Sequence, residues 1–287
     1  MIQSKATSQL VCIIIYLISF YVSYKILPVT ITNVWLTITI WHIYATLFIY
    51  FFSVLLKNSS LYDPFWSVAP VPIAIYLATQ FENNISVILI VLIPIIFWAL
   101  RLTRNWLISW QGFEHEDFRY IELKNTNKFK SEFNNFFGIH LFPTLIVNLG
   151  LYPLVFILTN NIYSTTFLYF ASLFTFFAVV LETVADEQMR EFKKNPLNKG
   201  KTMRYKLWKY SRHPNYLGEI GFWFGIYLMG LSSGLAPLWT IICPFTMVAL
   251  FVFVSCPMMD NRSLKNRSDY KEYMEVTSQL ILFPPKN

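Results

Sequence analysis

The stretch SRHPNYLGEIGFW sets Arg212, His213, Asn215, Tyr216 and Glu219 at the head of a long apolar run. Asn215 and Glu219 are four residues apart and so share one face of a helix. Pro214 suits a first helical turn, where its missing N–H does no harm. A helix starting there turns its positive end, together with the Asn215 carboxamide, toward the water boundary, which is a place to hold a phosphate or a carboxamide. Glu219 inside a spanning segment is disfavoured unless paired, hydrated or neutral. It marks either a functional site or a carboxylate that snorkels or pairs with Arg212.

Other residues capable of chemistry lie apart from this stretch. The tract 185–213 carries nine of the 23 Lys and Arg residues and opens with Asp186. It reads as a retention loop on lipid headgroups or as one wall of a polar site. Asp63 stands in LYDPFWSVAP. It either caps the N–H groups of a helix that starts at the proline, or is a carboxylic acid kept protonated by apolar surroundings. Arg101 and Arg104 share a helix face and snorkel or pair with Glu116 or Asp117. Arg119, in EDFRY, clamps a phosphate through its planar fork or holds its loop through Asp117 or Glu122. His42, His115, His140 and His213 show no metal-ligand spacing, so no metal site is expected, and His42 reads as a membrane-core histidine bonded to a neighbour. Cys12, Cys243 and Cys256 have no paired spacing and are expected to pack. Trp208, Tyr210, Tyr270 and Tyr273 suit interfacial belts.

These residues must be positioned by membrane helices. The chain is 55% hydrophobic and only 14% charged, too apolar for a water-soluble domain, and its apolar residues fall in long blocks. Eight blocks approach the roughly 20 residues a helix needs to span, at about 9–27, 33–56, 67–81, 85–108, 136–158, 162–184, 214–231 and 236–256. The fold expected is all-α and polytopic. The first block is too long for a signal peptide and reads as a retained helix. With eight spans and the N-terminus inside, the basic residues gather on one side: Lys57, Arg119, Lys124, the 185–213 tract and the tail from Arg262. Both termini are then cytoplasmic, in a bacterial inner membrane or an endoplasmic reticulum. The net charge of +7 lies on that face, toward anionic lipid or a phosphorylated cofactor. No nucleic-acid motif is present, so nucleic acid is not expected as a partner.

SRHPNYLGEIGFW, preceded by LWKY and ADEQMREF and followed by NRSLKNRSDYKEYMEVTSQLILFPP, resembles the C-terminal half of the steroid 5-alpha-reductase superfamily. The DPFW element at Asp63–Trp66, WALRLTRNW and EDFRY resemble that superfamily's uncharacterised, DUF1295-like membrane branch. The likeness divides the chain into N-terminal helices over 1–60 and a reductase-like domain over 61–287, whose cofactor-binding part is 185–287. It implies NADPH as cofactor, a hydrophobic, lipid-like substrate and reduction of a carbon–carbon double bond. It also implies that Asn215 and Glu219 hold the nicotinamide carboxamide with Tyr216 beside it. Asp186, Arg190 and Lys193 would grip the cofactor's polar parts, and Arg204, Arg212 and Arg262 its phosphates. Asp63 takes the place of the superfamily's acidic residue, where a protonated carboxyl would stabilise charge developing on substrate oxygen. Trp98 stands where the steroid reductases have a substrate-facing tyrosine, a departure that weakens the acid pair.

Two other readings remain at this stage. Isoprenylcysteine-type carboxyl methyltransferases share an Arg-His-Pro element with a following glutamate, and would use S-adenosylmethionine. A lipid- or sterol-binding protein without catalysis would keep the fold and lose the acid.

Overall fold

The computed structural model describes residues 4–28 and 32–286, and every regular element among them is helical. In chain order these are α1 (Lys5–Lys25), α2 (Val34–Leu55), α3 (Phe65–Val68), α4 (Pro70–Gln80), α5 (Ile85–Ser109), α6 (Phe118–Lys124), α7 (Lys128–Phe133), α8 (Phe142–Leu158), α9 (Thr165–Lys194), α10 (Pro214–Leu231), α11 (Ile242–Leu250), α12 (Cys256–Asn266) and α13 (Tyr270–Val276). π-helical turns at Asn134–Leu141 and Phe251–Ser255 lead into α8 and α12. Short polar side chains start several helices by accepting otherwise orphaned N–H groups: Ser4 for α1, Asn33 for α2, Asn84 for α5 and Asp117 for α6. The chain packs as two compact units, one ending at Asn161 and the other beginning at Ile162.

Among the described residues, six helical segments are long and apolar enough to cross a membrane: Lys5–Lys25, Val34–Leu55, Ile85–Ser109, Lys128–Leu158, Thr165–Lys194 and Leu238–Asn266. This is an integral membrane protein. Two of the eight expected spans fall short of that standard for identifiable reasons. The 67–81 block is divided between the four-residue α3 and the eleven-residue α4. The 214–231 block is one 18-residue helix, α10, but Asn215, Glu219 and its glycines dilute its apolar character.

In the N-terminal unit, α1 joins a core that includes Cys12, Tyr16, Ile49, Tyr62, Phe65 and Trp106. α1 and α2 are thus part of the packed unit. All three cysteines are buried and unbonded, as packing residues. α2 meets α8 and its preceding turn along polar pairs: Thr39 with Asn148 at 2.9 Å, Thr46 with Thr144 at 2.9 Å and Ser53 with His140 at 3.0 Å. The partners recur every seven residues on one side (39, 46, 53) and every four on the other (140, 144, 148), the rows that face a neighbour on antiparallel helices.

The C-terminal unit is built on α9 and α10, its most extensive helix pairing. α9 has 30 residues and is about 45 Å long, some 15 Å more than the hydrocarbon thickness. Its exposed large apolar side chains, Tyr169, Phe170, Leu173, Phe174, Phe176, Phe177 and Val184, stop at Val184. The expected span ends there too, but the helix continues for ten more residues, so Asp186, Arg190 and Lys193 stand on a helix rather than in a loop. Glycines let α10 approach closely. A Cβ at Gly218 would lie 2.7 Å from the Ala178 carbonyl oxygen, at Gly221 2.9 Å from Ala178 Cβ, and at Gly225 2.0 Å from Thr175 Oγ1. Gly225→Ala is therefore expected to lower stability by about 1–3 kcal/mol, as overpacking does. Thr175→Ala in the same chain should restore part of this, because it removes the nearest atom but leaves a Cβ 2.7 Å away. Thermal unfolding of the detergent-purified single and double variants measures both effects.

Candidate functional site

The 214–231 helix begins where the sequence places it, with Pro214 in the first turn. Its N-terminus opens on a cavity of about 170 Å³ lined by Asp186, Lys193, Arg212, His213, Asn215 and Tyr216, among others. Asp186 and Lys193, seven residues apart on α9, reach the same space because two helical turns return a side chain to nearly the same face. Tyr216 stacks on His213, with ring centroids 5.2 Å apart and planes 9° from parallel, and leans on Phe251 at 4.8 Å. Asn215 Oδ1 is buried and has no hydrogen-bond partner within the protein. Glu219, one turn further in, is 2% exposed and accepts a hydrogen bond from Trp223 Nε1 at 2.8 Å. It lies behind the lining rather than in it.

A second cavity, of about 340 Å³, shares Lys193 and Arg267 with the first and is also lined by Asn195, Asn198, Lys199 and Lys201. Its lining includes four cations and no carboxylate. The sequence reading missed Lys199, Lys201 and Arg267 as a group, because only the turn after α9 and the end of α12 bring them together.

The remaining basic residues assigned to the site are engaged elsewhere or stand outside the lining. Arg190 pairs with Glu187 at 2.7 Å. Arg204 pairs with Glu272 at 3.1 Å, donates to the Asp269 carbonyl at 2.6 Å and lies over the Tyr273 ring. Arg262 is exposed on α12. Arg212 lines the first cavity, but its charge is met by Asp260 at 3.0 Å, with further bonds to the carbonyls of Met274 and Thr277.

Asp260 is the residue that holds this region, although nothing near it in the sequence singles it out. Its carboxylate is 4% exposed and accepts from Arg212, from His213 Nε2 at 2.9 Å and from the Tyr270 hydroxyl at 2.5 Å. Burial and Asp260 both raise the Tyr270 pKa, which keeps that donor protonated. Tyr273 donates to the Trp208 carbonyl, and Trp208 Nε1 to the Ala185 carbonyl at 3.0 Å. Trp208, Tyr270 and Tyr273 are therefore buried ties rather than members of an interfacial belt.

In the N-terminal unit, the Asp63 carboxylate accepts from the Tyr120 hydroxyl at 2.6 Å and lies 3.5 Å from Arg119. It does not cap α3, which has no side-chain cap. Arg119 is bonded more closely to Asp117, through Nε at 2.8 Å and Nη2 at 3.1 Å, so its fork holds its own loop. Burial pushes the Asp63 carboxyl up to about 6, against the opposing pull of Arg119. The Arg119 guanidinium, 3.5 Å away, is shared with Asp117 and offsets only part of that rise. Trp98 is fully buried and meets Trp66 edge-on at 5.6 Å. Arg101 is 5% exposed and does not snorkel, whereas Arg104 is exposed.

Residues 49–277 match the family described as "Protein of unknown function (DUF1295)", a steroid 5-alpha-reductase-like family. "Uncharacterized protein C594.04c" of Schizosaccharomyces pombe is 27% identical over 226 residues, covering 69% of this chain and 65% of that protein. The match therefore spans slightly less than two thirds of that relative's length. No solved structure matches the chain.

Two outcomes test this geometry. Asp260→Ala leaves Arg212 buried without its carboxylate, and is expected to destabilise the protein by about 3–5 kcal/mol, against about 1 kcal/mol for Tyr270→Phe. Thermal unfolding ranks the two. Because burial holds the Asp63 carboxyl above its ordinary value of 3.8, its ionisation opposes folding. Stability from this group is whole below about pH 4 and falls as pH rises through about 6. Asp63→Asn should flatten that part of the pH–stability profile.

Proposed function

This chain belongs to the DUF1295 family, which is steroid 5-alpha-reductase-like, and from that premise we propose that it is a membrane-embedded, NADPH-dependent reductase of a carbon–carbon double bond in a hydrophobic, lipid-like substrate. One observation carries the reading. Asn215, in the first turn of a helix, lines a ring-sized cavity and has a buried carboxamide oxygen with no hydrogen-bond partner, and a larger cationic cavity adjoins across the shared Lys193 and Arg267. The nicotinamide carboxamide offers the N–H donors that Asn215 Oδ1 lacks. The four cations beyond it suit phosphates. A methyl donor such as S-adenosylmethionine, which is cationic at sulfur, gains nothing from that second cavity.

NADPH would supply the hydride, and the chain's own residues would do the rest. Asn215 and the first turn of α10 orient the ring, Tyr216 flanks it, and Lys193, Lys199, Lys201 and Arg267 hold the phosphate end. Asp186 offers an acceptor to the cofactor's hydroxyls. Glu219 acts from behind, through the packing of α10 and its bond with Trp223. Reduction adds one hydride and one proton across the double bond, and within the N-terminal unit the Asp63 carboxyl, pushed up by burial to about 6, is a group able to hold a proton. Trp98, fully buried in the same unit as Asp63, has no phenol to donate. The cationic face and both termini are proposed to lie on the cytoplasmic side of a bacterial inner membrane or an endoplasmic reticulum.

Thermal unfolding with NADPH, NADH or S-adenosylmethionine tests the cofactor. Ligand at about 100 times its Kd stabilises by about 2.7 kcal/mol, a rise of several degrees for a chain of this size. Asn215→Ala and Glu219→Ala are each expected to blunt the NADPH effect, and Lys128→Ala to leave it whole. A rise with S-adenosylmethionine alone would overturn the reductase reading.

A further inference from the structure

The cations of the C-terminal unit divide by what meets their charge. Arg190, Arg204, Lys206 and Arg212 each pair with a carboxylate, between 2.7 and 3.2 Å. Lys193, Lys199, Lys201 and Arg267 line one cavity of about 340 Å³, and among the described residues none of these four makes an ion pair. Like charges gathered without counter-ions repel one another, and an anion relieves the repulsion. Desolvation holds the Lys193 ammonium below its usual range, and repulsion from Arg267 and Arg262 lowers it further, against the pull of Asp186 two turns earlier on α9. The rest of the polar lining also suits an anion. Asn195 Oδ1 accepts from Leu197 N at 3.0 Å, so its amide nitrogen is the end left to donate. Arg267 lies over the Tyr270 ring, 5.9 Å from its centroid, a contact that uses the face of the guanidinium and leaves the N–H groups at its edge.

We infer that this cavity is a binding site for the phosphate monoester of a water-soluble ligand. A monoester carries nearly two negative charges at neutral pH and three terminal oxygens, whereas a diester carries one charge and two such oxygens. Four cations with no carboxylate among them match the monoester, and the Arg267 fork can take two of its oxygens at once. Position decides against a lipid headgroup. The exposed apolar side chains of α9 stop at Val184, and Lys193 follows nine residues later on the same unbroken helix, about 14 Å further along. The headgroup layer of one leaflet is only roughly 5–8 Å deep. A diacyl lipid would have to lift its phosphate above that layer, whereas a soluble ligand reaches the cavity from water. The preference for a monoester holds whatever body carries the phosphate and does not require the reductase reading. On that reading, the monoester that distinguishes NADPH from NADH would sit here.

Titration calorimetry of the detergent-purified full chain, in about 0.15 M salt, tests it. The monoester probes are adenosine 2′-monophosphate and glycerol 3-phosphate, each compared with a cyclic diester of the same body, adenosine 2′,3′-cyclic monophosphate and glycerol 1,2-cyclic phosphate. At least one monoester should bind saturably, and its cyclic diester about tenfold or more weakly. Lys199→Ser with Lys201→Ser is expected to weaken the monoester about tenfold or more, the loss of charge-assisted hydrogen bonds. Lys209→Ser with Lys286→Ser removes the same charge outside the lining and should leave the affinity within about threefold. Nanodiscs holding phosphatidic acid or phosphatidylinositol 4-phosphate, read by native mass spectrometry, supply the lipid comparison. Retention of either lipid through Lys199 and Lys201, with neither soluble monoester bound, overturns the inference. So does a failure of both monoesters to bind saturably, equal affinity for the cyclic diesters, or undiminished binding in a folded Lys199/Lys201 double variant. The monoester and diester comparison uses only the parent protein and stands even if that variant does not fold. Stabilisation by NADPH without monoester binding removes this site and leaves the reductase reading, and monoester binding with no NADPH effect does the reverse.

Discussion

The C-terminal unit depends on one buried carboxylate. Asp260, on α12, gathers the guanidinium of Arg212, the imidazole of His213 and the hydroxyl of Tyr270. Through Arg212 it fastens the carbonyls at the end of α13, and through His213 it fixes the ring on which Tyr216 stacks. A buried carboxylate is tolerated only when its charge and lone pairs are met, and here three donors meet them. The same satisfaction explains why Arg212 is a strut in the cavity wall more than a free charge awaiting phosphate.

The glycines of α10 set the second constraint. Without a Cβ at Gly218, Gly221 and Gly225, α10 packs directly on α9, and this places the first turn of α10 beside the part of α9 that emerges past Val184. Close packing by small residues is how helices associate in lipid, where apolar surface alone gives no preference for protein over solvent. The site is therefore positioned by absent side chains as much as by present ones.

Much of this arrangement was legible in the sequence. The membrane class followed from composition, and the start of α10 from Pro214 after a basic stretch. Asn215 stood out as a polar group in an apolar run. What escaped was long-range pairing. Asp260 looks like any acidic residue in a polar tail, because nothing near it in sequence announces Arg212 or His213. Tyr270 and Tyr273 have the composition of an interfacial belt and the positions of a core, a difference that only the fold of the tail decides. Arg119 has two options in the sequence, and the structure realises the one that uses Asp117. The two blocks that fall short as spans show the limit of counting apolar residues: Pro70 begins a new helix within one, and polar and small residues dilute the other.

The continuity of α9 across its last ten residues has a mechanical consequence. A single rigid rod runs from lipid-facing phenylalanines to Asp186 and Lys193, with no hinge between them. Its far end is charged while its other end stays apolar, with the backbone unbroken between them. The boundary between the two worlds is drawn along one uninterrupted backbone, by nothing more than the change from aromatic to charged side chains.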